Sequence, residues 1–519
     1  MPASHHPQAD RLCPPPDCWR NPPPPGPSRR CPVTAPTSLA PRKRPTPLRS
    51  LGWLLPLAAA LTACTTTRPP AQVAPATPNS WQAPLPHDGQ LQQLTDWWAH
   101  TNDPVLVGLI ESAQRISPSL AQARSRVEQA RATQTTARAA LLPTLDAQAS
   151  ASRGVTPPVT TPATTAQAGL QAGWEMDLFG ANQATRDAAT ERLAGAQALW
   201  HEARVSVAAE VALQVSSLRT CLQQLDVAER DAQSREATAR LTQDSQRAGF
   251  TAPATAALAS ASAAEATARA AQQRMQCDVD FKTLVALTGE PEPALRSQIT
   301  TAPVPGFDEA RFTIAALPVQ VVSQRPDVYN AEREVAAASA DVGNAQAQRW
   351  PRLSLTGTVG TAWSRTAGTT TDLSTWSFGP LALSLPLLDG GRRTARVDAA
   401  RARYDEAVAV YQSRVRQAVS EVEQALVRLQ STAERADSAR AAVQGYQTSF
   451  DATEARWRGG LASLVELEDA RRTLLAAQTT LVALQHERQS AWVALYRAAG
   501  GGFDAANRTT HDTPAAPAL

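Results

Sequence analysis

"RWRGGLASLVELEDARRTLL", residues 456–475, is one of two places where a long helical sequence stops in the same way. The other is "SQRAGFTAPATAALASASAA", residues 245–264. Each runs Arg, small residue, Gly, apolar residue, and then into an Ala- or Leu-rich helix. Only the second break is loaded with acids, Glu466 and Asp469. A chain that interrupts two long helices identically is built from two copies of one unit.

Further landmarks keep the same spacing. "ARSRVEQARATQTTARAALLP", residues 123–143, aligns with "AEREVAAASADVGNAQAQRWP", residues 331–351, at an offset of 208. "DLFG" at 177–180 aligns with "LLDG" at 387–390, offset 210, and "RAGF" at 247–250 with "RGGL" at 458–461, offset 211. Each unit begins with a helix that ends at the Pro, over roughly 104–140 and 326–349. A β-hairpin pattern follows: small and Thr residues in period two, with turn residues between the arms. The arms read 144–154 and 166–178 in the first copy, 352–363 and 374–388 in the second. Residues 181–248 and 391–457 are almost free of Gly and hold no Pro, which predicts two helices of about 100 Å at 1.5 Å per residue. Return helices are expected over roughly 253–288 and 461–499.

The long helices carry apolar seams with steps of 3 and 4: Val207, Val211, Val215 and Leu218 in one, Val415, Val419, Val422 and Leu426 in the other. That is coiled-coil-like packing. Four strands cannot close a barrel, and an open four-stranded sheet exposes its edges. Chains that pool strands would close one. Trp174, Phe179, Trp363, Trp376 and Phe378 are expected at or near strand ends, where an aromatic girdle would lie if the sheet enters a membrane.

The 519 residues carry a net charge of +3, which implies no nucleic-acid partner. Residues 1–41 are Pro-rich, lack a hydrophobic period and read as a disordered extension ahead of the signal peptide, which suggests a start site assigned too early. Residues 42–63 have the basic stretch and short apolar run of a signal peptide, too short and Pro-interrupted to span a membrane. It ends in "LTAC", so Cys64 is the expected lipidated N-terminus of the mature chain, followed by a lipid-anchored tether over 64–90. The body divides into repeats at 91–300 and 301–505, with a disordered tail at 506–519. After processing, Cys221 and Cys277 remain, either as a disulfide or as plain packing residues. None of the seven His forms a metal-spaced pair in the mature chain, and no phosphate loop or G-x-S-x-G elbow is present. No catalytic residue, metal or cofactor is expected, and the chain is not read as an enzyme.

Together, "LTAC", "WEMDLFG" (174–180), "RPDVYNAEREVAAASADVGNAQAQRWPRLSL" (325–355), "GPLALSLPLLDGG" (379–391) and "LYRAAGGG" (495–502) resemble the outer-membrane efflux proteins, TolC-like lipoproteins of the NodT type. The resemblance spans nearly everything after residue 64. It implies a mixed, mostly α membrane protein: a homotrimer whose three chains give four strands each to a 12-stranded outer-membrane barrel, continued by a periplasmic helical barrel. It implies a passive efflux conduit held in outer-membrane lipid and served by a periplasmic adaptor and an inner-membrane RND-type pump. Arg247, Gly249, Arg458 and Gly460 would lie at the periplasmic tip where the adaptor docks, although the same residues also suit plain helix C-caps. Glu466 and Asp469 would form a periplasmic gate of acidic rings; alternatively they are a solvated helix start with Arg471 and Arg472 as local partners. The alternative functions are the exit duct of a type I secretion system and a structural periplasmic coiled-coil lipoprotein.

Overall fold

The computed structural model describes residues 67–83 apart from 76 and 79, then 98, 103–155, 161–301 and 318–503. Residues 1–66, the expected leader and Cys64 among them, and the tail from 504 lie outside the described residues.

The first repeat comprises α1 (Pro104–Ile116), α2 (Pro118–Ala139), β1 (Thr144–Gly154), β2 (Ala163–Met176), α3 (Ala181–Arg247), α4 (Pro253–Thr288) and α5 (Glu292–Thr301). The second comprises α6 (Pro318–Ser323), α7 (Pro326–Ala347), β3 (Arg352–Thr366), β4 (Thr369–Ser384), α8 (Arg392–Arg458) and α9 (Leu464–Ala498). The helix expected over 104–140 is two helices. Pro118 forces Ser117 into an extended conformation (ψ 121°), and the Ser117 hydroxyl then caps α2. The two long helices have 67 residues each, about 100 Å.

One sheet of order β1-β2-β3-β4, antiparallel throughout, joins the two repeats through the β2–β3 pair. Its register sorts the side chains by face. One face carries Leu145, Ala147 and Ala149 of β1 and Leu170, Ala172 and Trp174 of β2. Leu353, Leu355 and Val359 of β3 and Trp376, Phe378 and Leu381 of β4 continue it. The opposite face holds Gln148, Ser152, Thr165, Gln171, Thr358 and Ser377. These polar side chains bond across strands: Ser152 to Thr165 at 2.8 Å, Thr358 to Ser377 at 2.7 Å, Gln148 to Gln171 at 3.2 Å. The apolar face is bare, with Trp376 and Phe378 80 % and 82 % exposed.

Ten residue steps separate Leu353 from Trp363 on that face. At about 3.3 Å per residue and a tilt near 40°, they make an apolar band about 25 Å high. Beyond it Arg153, Thr164 and Arg365 form a polar row beside the β3–β4 turn. That turn has two residues, Ala367 and Gly368, both at positive φ, which matches the type I′ hairpin geometry. The tight turn starts β4 at Thr369 rather than Ser374. Trp376 and Phe378 therefore sit in mid-strand, and Phe179 lies past β2, stacked on Trp350 at 5.6 Å. Trp174 and Trp363, two and three residues from the ends of β2 and β3, keep the strand-end place expected of the five aromatics.

The helices next to the sheet form a layer in the same order as the strands: α2 packs on α3, α3 on α7, and α7 on α8. Farther along, α4 folds back on α3, α9 folds back on α8, and α9 also packs on α3. The expected seams are buried at Val207, Val211, Val215 and Leu218, and at Val415, Val422, Leu426 and Leu429. Cys221 of α3 and Cys277 of α4 are joined by a disulfide, with Cα atoms 5.5 Å apart and 56 residues between them in sequence. They are not plain packing residues. In the chain-entropy account, closing a loop of that length stabilises the fold by roughly 4 kcal/mol. Among the described residues no helix is long and apolar enough to cross a membrane.

The segment expected to be a loose tether is a strap. The Arg68 guanidinium pairs with Asp187 of α3 at 3.2 Å, and Ser339 of α7 donates to the Pro69 carbonyl at 2.6 Å. Tyr404 of α8 donates to the Pro70 carbonyl at 2.8 Å. Farther down, the Gln82 and Ala83 N–H groups both donate to Glu423, and Trp81 is buried against Val422 and Trp492. Its Pro-rich backbone, unable to form ladder bonds, is held by side chains of the helices it crosses.

Gly169 and Gly360 face each other on the polar face, where an added Cβ on Gly360 would stand 2.7 Å from the Ala168 carbonyl oxygen. Gly360→Val is expected to cost about 1–3 kcal/mol by overpacking, read as a lower midpoint of thermal unfolding; Thr358→Val, two residues away, should cost less.

Candidate functional site

The two helix breaks are built alike, atom for atom. α3 ends at Arg247; Gly249 stands at φ 83°, its N–H bonds the Gln246 carbonyl at 3.0 Å, and the Phe250 N–H bonds Ser245 at 2.9 Å. α8 ends at Arg458; Gly460 stands at φ 76°, its N–H bonds Trp457 at 3.0 Å, and the Leu461 N–H bonds Arg456 at 2.8 Å. This crossed pair of bonds is the Schellman motif, and its left-handed residue is what requires Gly. Nothing lies within 4 Å of where a Cβ would stand at either Gly. Conformation, not crowding, therefore selects them, and the backbone at both turns is open to a partner. Phe250 and Leu461 project outward, 87 % and 75 % exposed. Arg247 pairs with Asp244, and Arg458 with Glu454 at 3.1 Å, both within their own helix. The four expected tip residues thus share one local design.

Past the second turn, Ser463 opens α9 with a capping box. Its hydroxyl accepts from the Glu466 N–H at 3.2 Å, and the Glu466 carboxylate accepts the Ser463 N–H at 2.6 Å. That backbone bond, together with the Ser463 side chain, holds the Glu466 pKa below the usual carboxylate range. Asp469 pairs with Arg472, and both are exposed. Both expected gate acids therefore lie on the open side of α9. Arg471 does not partner them. It turns inward, because its position falls on the buried stripe of Leu464, Leu467 and Leu474.

There it meets a polar cluster that the sequence reading missed. Glu468 accepts from Arg471 at 2.6 Å, from Ser262 of α4 at 2.9 Å, and from Arg235 of α3. Arg235 also forks onto Asp231 at 2.9 and 3.0 Å, and Arg471 donates to Ser234 at 3.0 Å and Thr238 at 3.1 Å. Burial pushes the Arg471 guanidinium pKa down. Three helices from two repeats are thereby locked just above the turns. The sequence did hold a signal: Glu468 and Arg471, three apart, interrupt a leucine stripe that a solvated helix start would leave apolar.

The matching family model, described as outer membrane efflux protein, covers residues 109–290 and 317–501, one segment in each repeat. The pyoverdine export outer membrane protein OpmQ of Pseudomonas aeruginosa is 30 % identical over 466 residues, covering 87 % of this chain and 96 % of its own. Nodulation protein T of Rhizobium leguminosarum is 26 % identical, covering 82 % of this chain and 89 % of its own. Among solved structures, the outer-membrane channel OprN superposes with a TM-score of 0.74 at 26 % identity, covering 84 % of this chain and 99 % of its own.

Glu468→Ala would leave Arg235 and Arg471 buried without their shared carboxylate. An uncompensated buried charge costs about 3–5 kcal/mol, so a large drop in the denaturant midpoint is expected, with Glu468→Gln falling between. The capping box has its own pH dependence. A lowered folded pKa means stability present above the unfolded value of about 4.3 and lost as pH falls through the folded one. Hydrogen exchange should find the first α9 amides protected at neutral pH and progressively exposed below that range.

Proposed function

The chain belongs to the outer membrane efflux protein family, and from that premise we propose that three copies close into one passive conduit through the outer membrane. The protein resides in the outer membrane of a Gram-negative bacterium and serves there as an efflux channel. One observation carries the trimeric reading: sheet and helical layer are open in the same order, β1-β2-β3-β4 above α2-α3-α7-α8. Each layer has a free first edge and a free last edge on matching sides. Head-to-tail copies pair β4 with the next β1 and α8 with the next α2 in a single rotation, and three such steps give 12 strands. Closure satisfies every strand edge, as a lipid environment demands. The apolar face then meets acyl chains, and the Gln, Ser and Thr face lines the lumen.

A lipid on Cys64 fits the strap. Arg68 is held at Asp187, six residues into α3, about 9 Å along the helix from the barrel. Four peptide steps from Arg68 reach at most about 14 Å, long enough for a lipid on Cys64 to enter the periplasmic leaflet. At the far end, the paired turns at Arg247–Gly249 and Arg458–Gly460 offer two sets of three similar loops per trimer to a periplasmic adaptor. An inner-membrane pump of the RND type would supply the energy, since this chain contributes a duct and a gate. Small molecules are the cargo this reading assigns. Glu466 and Asp469, repeated three times around the axis, would ring the closed end with carboxylates.

Single-channel recording tests the gate. Glu466→Ala combined with Asp469→Ala should raise conductance, and cells carrying the pair should admit large antibiotics they otherwise exclude, with trimer yield unchanged. Conductance and permeability equal to those of the parent would remove the gate assignment.

A further inference from the structure

The disulfide divides the α3–α4 hairpin into two unlike halves. On its membrane side the buried residues include large ones, Val211, Val215 and Leu218 of α3 with Phe281 and Leu284 of α4, beside Ala208, Ala209 and Ala212. On its tip side every buried apolar residue of either helix is alanine. α4 buries Ala256, Ala259, Ala263, Ala266 and Ala270 there, and α3 buries Ala232 and Ala239 beside Asp231, Arg235 and Thr238. A methyl group removes little apolar area from water, so over some 25 residues the contact of α3 with α4 itself is weak, and the tip half leans on Leu464 and Leu467 of α9, which pack with Ala239, Ala259 and Ala263. The second repeat differs. Its return helix buries Leu464, Leu467, Leu474 and Leu484 over the same stretch.

The repeat itself supplies the comparison. Moved by the 211-residue offset of the two turns, Cys221 and Cys277 fall on Thr432 and Arg488. Those two residues also touch, with Arg488 donating to the Thr432 hydroxyl at 3.3 Å. One crossing point is therefore bridged covalently where the seam beyond it is alanine, and by a hydrogen bond where the seam is leucine.

We propose that oxidation of Cys221 and Cys277 is an obligatory maturation step of this chain, without which the tip half of the α3–α4 hairpin stays open. The reaction class is thiol–disulfide exchange with an oxidised dithiol carrier of the periplasm. One cysteine thiolate attacks the carrier disulfide, forming a mixed disulfide and releasing one carrier thiol. The second thiolate attacks the chain-side sulfur, forming the Cys221–Cys277 bond and releasing the other. Two electrons pass to the carrier, and the two thiol protons end on its reduced sulfurs. Both sulfurs belong to buried residues in the folded protein, so exchange occurs before α3 and α4 finish closing. The inference rests on the helices lying outside the cytoplasm, and is independent of the gate and adaptor assignments.

The test compares full-length protein from parental cells and from cells deprived of periplasmic thiol oxidant, together with Cys221→Ala/Cys277→Ala. Thiols are counted by maleimide mass tagging after denaturation, and limited trypsin reads each turn separately. The wild-type chain should show both thiols blocked. The reduced chain and the double variant should be cut near Arg240 and Arg247 about 10-fold faster, as cleavage follows the open population. Cuts at Arg456 and Arg458 serve as the internal reference and should not change. Should the double variant fail to accumulate, Cys221→Thr/Cys277→Arg transplants the second repeat's pair and should restore assembly with a looser first turn. Free thiols in the mature wild-type protein would overturn the proposal, as would a reduced chain that assembles with the parental cleavage pattern.

Discussion

A strand edge buried in lipid leaves a row of N–H and C=O groups with no water to bond, at several kcal/mol each. This chain has a sheet with one largely apolar face, about 25 Å of it, and two such edges at β1 and β4. The apolar face demands lipid, and lipid forbids the edges. Only a closed ring satisfies both, and four strands are too few to close alone. The rest of the fold extends that requirement. The helical layer keeps the strand order so that one rotation seals the membrane and periplasmic parts together.

Below the membrane the demands change. The helices stand in water, so one-sided burial suffices, and long amphipathic helices carry the duct with small seams. Where those seams thin to alanine, other forces take over: the disulfide between α3 and α4, and the cluster of Arg235, Glu468 and Arg471 that ties the first repeat to α9. Buried ion pairs of this kind do little for net stability but much for which arrangement is permitted. Their place is just above the two turns, where they tie α3 and α4 of the first repeat to α9 of the second.

Much of this was readable from residues, and the failures have physical causes. The offsets of 208 to 211 located both long helices to within a residue or two, because Pro and Gly punctuate long helices cleanly. Period two located the hairpins, but not the two-residue turn at Ala367–Gly368, which extends β4 and carries Trp376 and Phe378 away from the strand end. Pro118 was visible yet passed over, and it splits the first helix. Composition suggested a loose tether over 64–90, whereas its described part, within 67–83, has partners Asp187, Ser339, Tyr404 and Glu423, more than a hundred residues distant and silent in local pattern. Cys221 and Cys277, 56 residues apart, left pairing and plain packing both open in sequence, and Glu468 hinted at its role only by breaking the leucine stripe, since its partners Arg235 and Ser262 lie on other helices.

Edge closure between copies is the central claim, and imaging single particles of the detergent-extracted protein tests it most directly. The account predicts three-fold tubes with a 12-stranded barrel at one end and a helical barrel of about 100 Å at the other. Monomeric particles, or a ring closed by any other number of copies, would contradict it.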